Sequence, residues 1–245
     1  MAKIVFDIET AGEDFEKMDD VTREVLTKKI KKELVDENEI KKQVAKIAEE
    51  LVFSPLTAKI VAIGVLDADT KKGAVYFDSA KKMEGEESPA QTVQPFEEGG
   101  VQFKSMSEKE MLESFWKVCE HAEEFVSFNG RGFDVPFLMI RSAIHKIKPS
   151  KNLLANRYMN LQPRDAKHVD LMDQLNFYGA VWGRTNLHLC CRAFGIKSPK
   201  EDGVAGDDVT RLFGEGKFDD IARYNARDLH STRDLYEYWD KFLRF

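Results

Sequence analysis

Two acids set into an apolar strand mark the start of the chain: Lys3-Ile4-Val5-Phe6-Asp7-Ile8-Glu9. Strand side chains alternate, so Asp7 and Glu9 share one face while Ile4, Phe6 and Ile8 take the other. Like charges side by side in an apolar setting repel each other and resist losing water. A divalent cation between them removes both penalties. Two later segments also place acids at element edges. One is Phe128-Asn129-Gly130-Arg131-Gly132-Phe133-Asp134, and the other is Tyr224-Asn225-Ala226-Arg227-Asp228. On a helix, Tyr224 and Asp228 stand at i and i+4 and face the same way. Taken singly, each acid has an ordinary role: Asp134 as a helix cap, Asp228 on a wet helix face, Asp7 and Glu9 at a solvated strand end. Occurring together in this order, they point to one centre built from carboxylate oxygen, the donor that hard divalent cations prefer.

The surrounding pattern supplies elements to carry these groups. Strand one, Ile4 to Ile8, gives way to a charged stretch from Asp14 to about Val52. Its Ile40, Val44, Ile47, Ala48 and Leu51 recur at helical spacing, with a poorer stripe of Val21, Val25, Ile30 and Leu34 before them. Asp36-Glu37-Asn38 breaks the two runs, which predicts a helical hairpin inserted after strand one. Lys59 to Leu66 and Ala74 to Phe77 read as strands two and three. Lys81 to Gly100, rich in Glu, Pro, Gln and Gly, reads as a mobile surface loop, and Val101 to Lys104 as a further strand. Ser107-Glu108-Lys109-Glu110 is a capping box opening a helix to about Ala122. Phe125 to Phe128 is a short buried strand, and the turn after it leads into a helix beginning at Asp134 with Pro136 in its first turn. Pro149 to Arg164 reads as irregular. Asn186 to Phe194 is a helix closed by Gly195, and Phe218 to about Phe242 is a long last helix. Strands first and helices alternating later predict an α/β layer structure with a mixed sheet.

Composition narrows the partners. The chain has 245 residues, a length suited to one large domain, and we read residues 1–245 as a single unit. Asp and Glu total 43 against 37 Lys and Arg, a net charge of −6, so a polyanion must be held by local cations and metal rather than by the overall field. Three cysteines without a C-x-x-C pair read as reduced thiols of a cytoplasmic protein. The N-terminus runs straight into a strand, and no apolar run is long enough to cross a bilayer, so no membrane partner is expected.

Together the three acidic segments resemble the DEDD superfamily of 3′→5′ exonucleases, which have a ribonuclease H-like fold. Asp7-Ile8-Glu9 resembles the D-x-E motif. Asn129 through Asp134 resembles the N-x₃-[FY]-D motif of proofreading domains in family B polymerases. Tyr224 through Asp228 resembles the Y-x₃-D motif of the tyrosine branch; the sister branch has a histidine five residues before the last aspartate, where this chain has Arg223. Ser54 to Leu66 and His168 to Gly179 look most like stand-alone bacterial exonucleases related to those proofreading domains.

The resemblance implies a ribonuclease H-like mixed sheet flanked by helices, and two Mg²⁺ or Mn²⁺ ions held by Asp7, Glu9, Asp134 and Asp228. It implies that Asp7 bridges both ions, that Glu9 and Asp228 hold the ion that activates water, and that Asp134 holds the second. Tyr224 would orient the attacking water, since a free phenol with a pKa near 10 makes a poor base. Thr10 and Asn129 are implied contacts to the terminal nucleotide. Arg131 is a candidate phosphate contact, with a plain turn arginine as the other reading. The expected activity is release of nucleoside 5′-monophosphates from 3′ ends of single-stranded DNA. RNA is the first alternative, and a non-catalytic nucleic-acid-binding or scaffold module on the same fold is the second. His168 and Asp170 read as structural, Asp170 with a part in shaping the metal pocket. In Trp182-Gly183-Arg184 the tryptophan reads as packed. The lysine-rich 14–52 hairpin reads as a solvated face, or as an arm that grips a strand or docks a protein partner.

Overall fold

A computed structural model describes residues 2–79, 93–183, 185–202 and 206–244. Strand β1 (Ala2–Gly12) lies inside a mixed sheet. The other strands are β2 (Ala58–Asp67), β3 (Gly73–Phe77), β4 (Phe96–Glu98), β5 (Val101–Ser105), β6 (Ala122–Ser127) and β7 (Lys167–Asp170). Among the described residues they order as β4-β5-β3-β2-β1-β6-β7. The β1–β2, β2–β3 and β4–β5 pairs are antiparallel; β3–β5, β1–β6 and β6–β7 are parallel. This is the α/β ribonuclease H-like arrangement expected from the motifs. β1 is longer than the apolar run Ile4–Ile8 implies. Thr10, Ala11 and Gly12 stay paired to Ile60, Lys59 and Ala58 after a register shift at Glu9/Thr10.

The alternation in β1 sorts its residues onto two cores. Ile4, Phe6 and Ile8 pack with Met111, Leu112 and Phe115 of α3 (Glu108–Glu120) and with Val135, Phe137 and Leu138 of α4 (Asp134–Ile144). Val5 and Ala11 join the core formed with α8 (Phe218–Phe242), so Asp7 and Glu9 lie between them on the α8 side. The remaining helices are α1 (Asp20–Glu33), α2 (Glu37–Glu50), α5 (Leu171–Leu175), α6 (Leu187–Phe194) and α7 (Val209–Glu215).

Helices α1 and α2 form the expected hairpin, each opened by an aspartate cap: Asp19 accepts from the N–H of Thr22 at 3.0 Å and Asp36 from that of Asn38 at 2.8 Å. Val44, Ile47 and Ala48 close over Phe15, Met18 and Leu51. Half of the weaker stripe fails to pack: Val21 and Val25 are exposed, while Ile30 and Leu34 are half-buried. Of the Lys81–Gly100 loop, residues 81–92 lie outside those described. Its end departs from expectation, because Phe96–Glu98 is a strand. Gly99 and Gly100, both at positive φ, turn it back onto β5 in a two-residue hairpin. Phe96 stacks on Phe103 at 4.5 Å, and Arg223 pairs with Glu98 at 2.9 Å. With one apolar residue in three, this strand leaves no periodic trace. β7 and α7 are likewise too short to leave a periodic trace, and a short 3-10 turn (Met159–Leu161) sits within the irregular stretch Pro149 to Arg164.

A second correction concerns Trp182, which is fully exposed rather than packed. It lies between the exposed Val181 and Gly183, whose φ of 115° is open only to glycine without strain. Arg184 lies outside the described residues. All three cysteines are free and buried. Among the described residues no helix is long and apolar enough to cross a membrane.

One buried clamp orients the helix that begins with Asp134. The carboxylate of Glu108 accepts from the Ile60 N–H at 2.8 Å, from Arg141 Nε at 2.8 Å and Nη2 at 2.6 Å, and bonds His145 Nε2 at 2.8 Å. This ties the start of α3 to β2 and to the far end of α4. Burial pushes the Glu108 carboxyl up, but these donors outweigh it and hold it below its ordinary value. Removing one partner strands the other charge. Glu108→Ala is therefore expected to cost roughly 3–5 kcal/mol of stability, read from the denaturant midpoint; a loss under about 1 kcal/mol would contradict a net contribution from the clamp.

Candidate metal centre

Asp7 and Glu9 leave β1 toward α8, and α8 answers with Asp228. Ligand oxygens of Asp7, Glu9 and Asp228 lie within 4.8 Å of one another. Glu9 and Asp228 are buried and Asp7 is half-buried. Tyr224, one turn before Asp228, is buried, and the Asp228 charge acts on its phenol. Asp134 comes from the opposite side. It is the first residue of α4 rather than its cap, the capping position being Phe133. Its Oδ1 instead accepts from the Ile8 N–H at 3.1 Å. β6 pairs with β1 only up to Val5, so this contact satisfies a buried β1 amide beyond the parallel ladder. It also sets Asp134 between Asp7 and Glu9 along the chain.

The electrostatics follow from this crowding. Burial, then the charges of Asp228, Asp134 and Glu9, push the Asp7 carboxyl well above the ordinary range. Burial, Asp228 and Asp134 do the same to Glu9. Burial chiefly raises Asp134 and Asp228, each to about 7. The Tyr224 phenol is pushed up by burial and by the charges of Asp228, Glu9 and Asp7, so it keeps its proton at any ordinary pH. Four acids that resist ionisation this strongly need a counter-charge. The all-oxygen donor set of Asp7, Glu9 and Asp228 has a spacing that fits a hard divalent cation and fits a soft metal poorly; Asp134 lies outside that group of three.

Two residues that support this cluster are not evident from the motifs. Asn225 is fully buried and donates from Nδ2 to Asp7 Oδ2 at 2.8 Å; the same amide also favours the charged form of Glu9. Its Oδ1 has no hydrogen-bond partner among the described residues and occupies the space beside Gly64, the β2 residue paired with Asp7. A Cβ at Gly64 would meet that Oδ1 at 2.1 Å and Leu229 Cδ1 at 2.6 Å. Glycine there is what lets α8 approach the sheet closely enough for Asn225 to reach Asp7. Gly64→Ala is expected to lose about 1–3 kcal/mol by overpacking, seen as a lower denaturant midpoint at unchanged slope. Wild-type stability in that variant would contradict the close approach. A lone glycine in a strand was the available signal.

Asp170 is the second support. It caps α5, accepting from Met172 N at 3.0 Å, and clasps the glycine turn by accepting from Asn129 N and Arg131 N, both at 2.9 Å. Asn129 takes φ 63°, and a Cβ at Gly132 would meet its Oδ1 at 2.7 Å. The turn is thus built tightly, and Asp134 starts α4 from its end. His168 is buried and neutral, held below its usual range at about 3 by burial, with Nε2 bonded to Ser127 Oγ at 2.7 Å. Both residues play the structural part read for them.

The three expected substrate contacts separate. Asn129 stands in the turn four residues upstream of Phe133. The Thr10 hydroxyl donates to the Val52 carbonyl at 3.1 Å, fastening the end of the hairpin. The Arg131 guanidinium donates from Nη1 to the Leu153 carbonyl at 3.0 Å, with Asp170 and Asp173 as its charged neighbours rather than the metal-site acids. A second bond from Nη2 to the Leu154 carbonyl at 3.4 Å also holds the guanidinium against that loop.

Residues 56–242 match the family described as a predicted 3′-5′ exonuclease related to the exonuclease domain of PolB. The chain belongs to that family. The matched stretch contains Asn129, Asp134, Tyr224 and Asp228, while Asp7 and Glu9 precede it. A comparison with curated proteins gives no match. Among solved structures, the fold is similar to the family B DNA polymerase of the hyperthermophilic archaeon Pyrobaculum calidifontis, at TM-score 0.55 and 16% identity. The likeness covers 98% of this chain and 24% of the polymerase. The chain thus spans about a quarter of that protein, and at this identity the likeness concerns the fold. In this chain, Asp7 and Glu9 are brought to Asp228 by the β1–β2–α8 packing rather than by sequence proximity.

Proposed function

We propose that this chain is a metal-dependent 3′→5′ exonuclease of the tyrosine branch that removes nucleoside 5′-monophosphates from single-stranded DNA ends. The observation that carries the reading is the convergence of Asp7, Glu9 and Asp228 within 4.8 Å, with the buried Tyr224 one turn before Asp228 on the same helix. Asp7, Glu9 and Asp228 would hold one Mg²⁺ or Mn²⁺, and Asp7 with Asp134 a second. Bound there, such cations supply a hydroxide at neutral pH and neutralise charge on the leaving oxygen. Tyr224, kept protonated by its surroundings, orients through its hydroxyl and does not take a proton. Asn225 holds the Asp7 carboxylate in place from behind, and the Asp170-clasped turn holds Asp134. The test is digestion of end-labelled single-stranded DNA and RNA of matched sequence with Mg²⁺, Mn²⁺ or chelator. A ladder shortening from the 3′ end of DNA, dependent on metal, is expected. Faster loss of RNA would move the substrate to the exoribonuclease alternative, and oligonucleotide binding without release in Mn²⁺ would favour a non-catalytic module.

A further inference from the structure

The side chain at position 225 is a poor choice if packing were its task. Asn225 lies on α8 between Tyr224 and Asp228 and is fully buried. Its Nδ2 donates to Asp7 Oδ2 at 2.8 Å, while its Oδ1 is buried without a hydrogen-bond partner among the described residues. An orphaned buried carbonyl is destabilising, whereas an apolar side chain of the same shape carries no such penalty. Leucine has nearly that shape, since it branches at Cγ as asparagine does. The amide is thus explained by what its one bond does and not by how it fills space.

That bond supplies direction. Gly64 lets α8 come close to β2, and from there Asn225 holds one oxygen of the Asp7 carboxylate. The carboxylate is thereby fixed against Glu9 and Asp228, with ligand oxygens of all three within 4.8 Å of one another. A hydrogen bond behind a metal ligand orients that ligand, and its loss weakens metal binding by about 10- to 100-fold. Hard cations differ in how much orientation they demand. Mg²⁺ requires near-ideal octahedral geometry, whereas the larger Ca²⁺ accepts about 6–8 oxygens in flexible arrangements. We infer that Asn225 is a positioning residue that gives the centre its preference for Mg²⁺ over Ca²⁺, by holding the Asp7 carboxylate in a single orientation. This rests on the metal reading of the acids, which the proposed nuclease activity also needs.

The test separates metal choice from folding. Wild type, Asn225→Leu and Asn225→Ala are titrated at pH 8 with Mg²⁺ and, separately, with Ca²⁺ by isothermal titration calorimetry, and each denaturant midpoint is taken in chelator. Both variants are expected to bind Mg²⁺ about 10- to 100-fold more weakly and Ca²⁺ less than about threefold more weakly. In chelator the Asn225→Leu midpoint should stay close to wild type, because the hydrogen bond and the orphaned carbonyl leave together. Asn225→Ala should fall below it through the cavity it leaves, yet show the same change in metal preference. Equal weakening of both ions, or of neither, overturns the inference while the metal centre stands. A lowered midpoint with the Mg²⁺-to-Ca²⁺ ratio unchanged makes the amide structural and overturns it as well. Wild type that binds neither ion removes the metal centre and the inference with it. Wild type that binds Mg²⁺ but shortens no oligonucleotide loses the nuclease reading alone, and the titrations still decide the role of Asn225.

Discussion

Asp228→Asn is expected to reduce nucleotide release by on the order of 10³-fold or more in either Mg²⁺ or Mn²⁺. The substitution keeps the size of the side chain, so the helix face should persist. What it removes is one negative ligand from the group whose oxygens lie within 4.8 Å. Stabilisation of transition-state charge by a bound metal is worth several kcal/mol, and each ~1.4 kcal/mol is tenfold in rate. Asp7→Asn should behave alike, with the two losses far from additive because the acids act as one unit. Steady-state release from an end-labelled oligonucleotide is the measurement, with circular dichroism to show that the fold is intact. Activity within about tenfold of wild type in Asp228→Asn would remove Asp228 from the centre.

The second large effect is on stability, and its sign follows from proton uptake. The Asp7, Glu9, Asp134 and Asp228 carboxyls all sit above their ordinary values when folded, Asp134 and Asp228 at about 7. The folded chain therefore binds more protons than the unfolded one across the interval from about 4 to about 7. Metal-free stability is fullest below that interval and is lost as pH rises through it. Glu108 and Glu124 work in the opposite direction: their carboxyls lie below the ordinary value of 4.5, and their contribution is lost on the acid side. The buried His168, held neutral at about 3, likewise adds stability as pH rises toward its ordinary 6.5, so the acidic cluster is read between about pH 6.5 and pH 8. In chelator, Tm is expected to fall by roughly 5–10 °C over that range, equivalent to a few kcal/mol for a chain of this size. Saturating Mn²⁺ at pH 8 should recover it, since a ligand that binds only the folded state stabilises it. Asp228→Asn should show a flatter pH dependence and a higher Tm than wild type in chelator. A flat wild-type profile with no response to metal would mean that the acids do not repel one another in solution.

The motifs and the fold differ in how far they could be read from the chain. The long elements were legible because periodicity accumulates over many residues: β1, β2, α3 and the 25-residue α8 all stand where their patterns place them. The three-residue β4 and four-residue β7 were not, because strands this short are defined by their neighbours. Trp182 looked like a core residue by type alone, and burial is a property of the surroundings.

The identities of the acids, the two-residue spacing of Asp7 and Glu9 and the one-turn spacing of Tyr224 and Asp228 are local, and period-2 and period-3.6 geometry fixes which side chains face together. Whether those faces meet depends on packing between segments more than two hundred residues apart. Only the folded chain shows that Gly64 leaves room for Asn225 to bond Asp7, that Asp134 takes the Ile8 amide, and that Arg131 turns away to the Leu153 carbonyl. Side-chain direction along an element is set by backbone repeat, whereas the partner each group finds is set by the shape of everything packed around it.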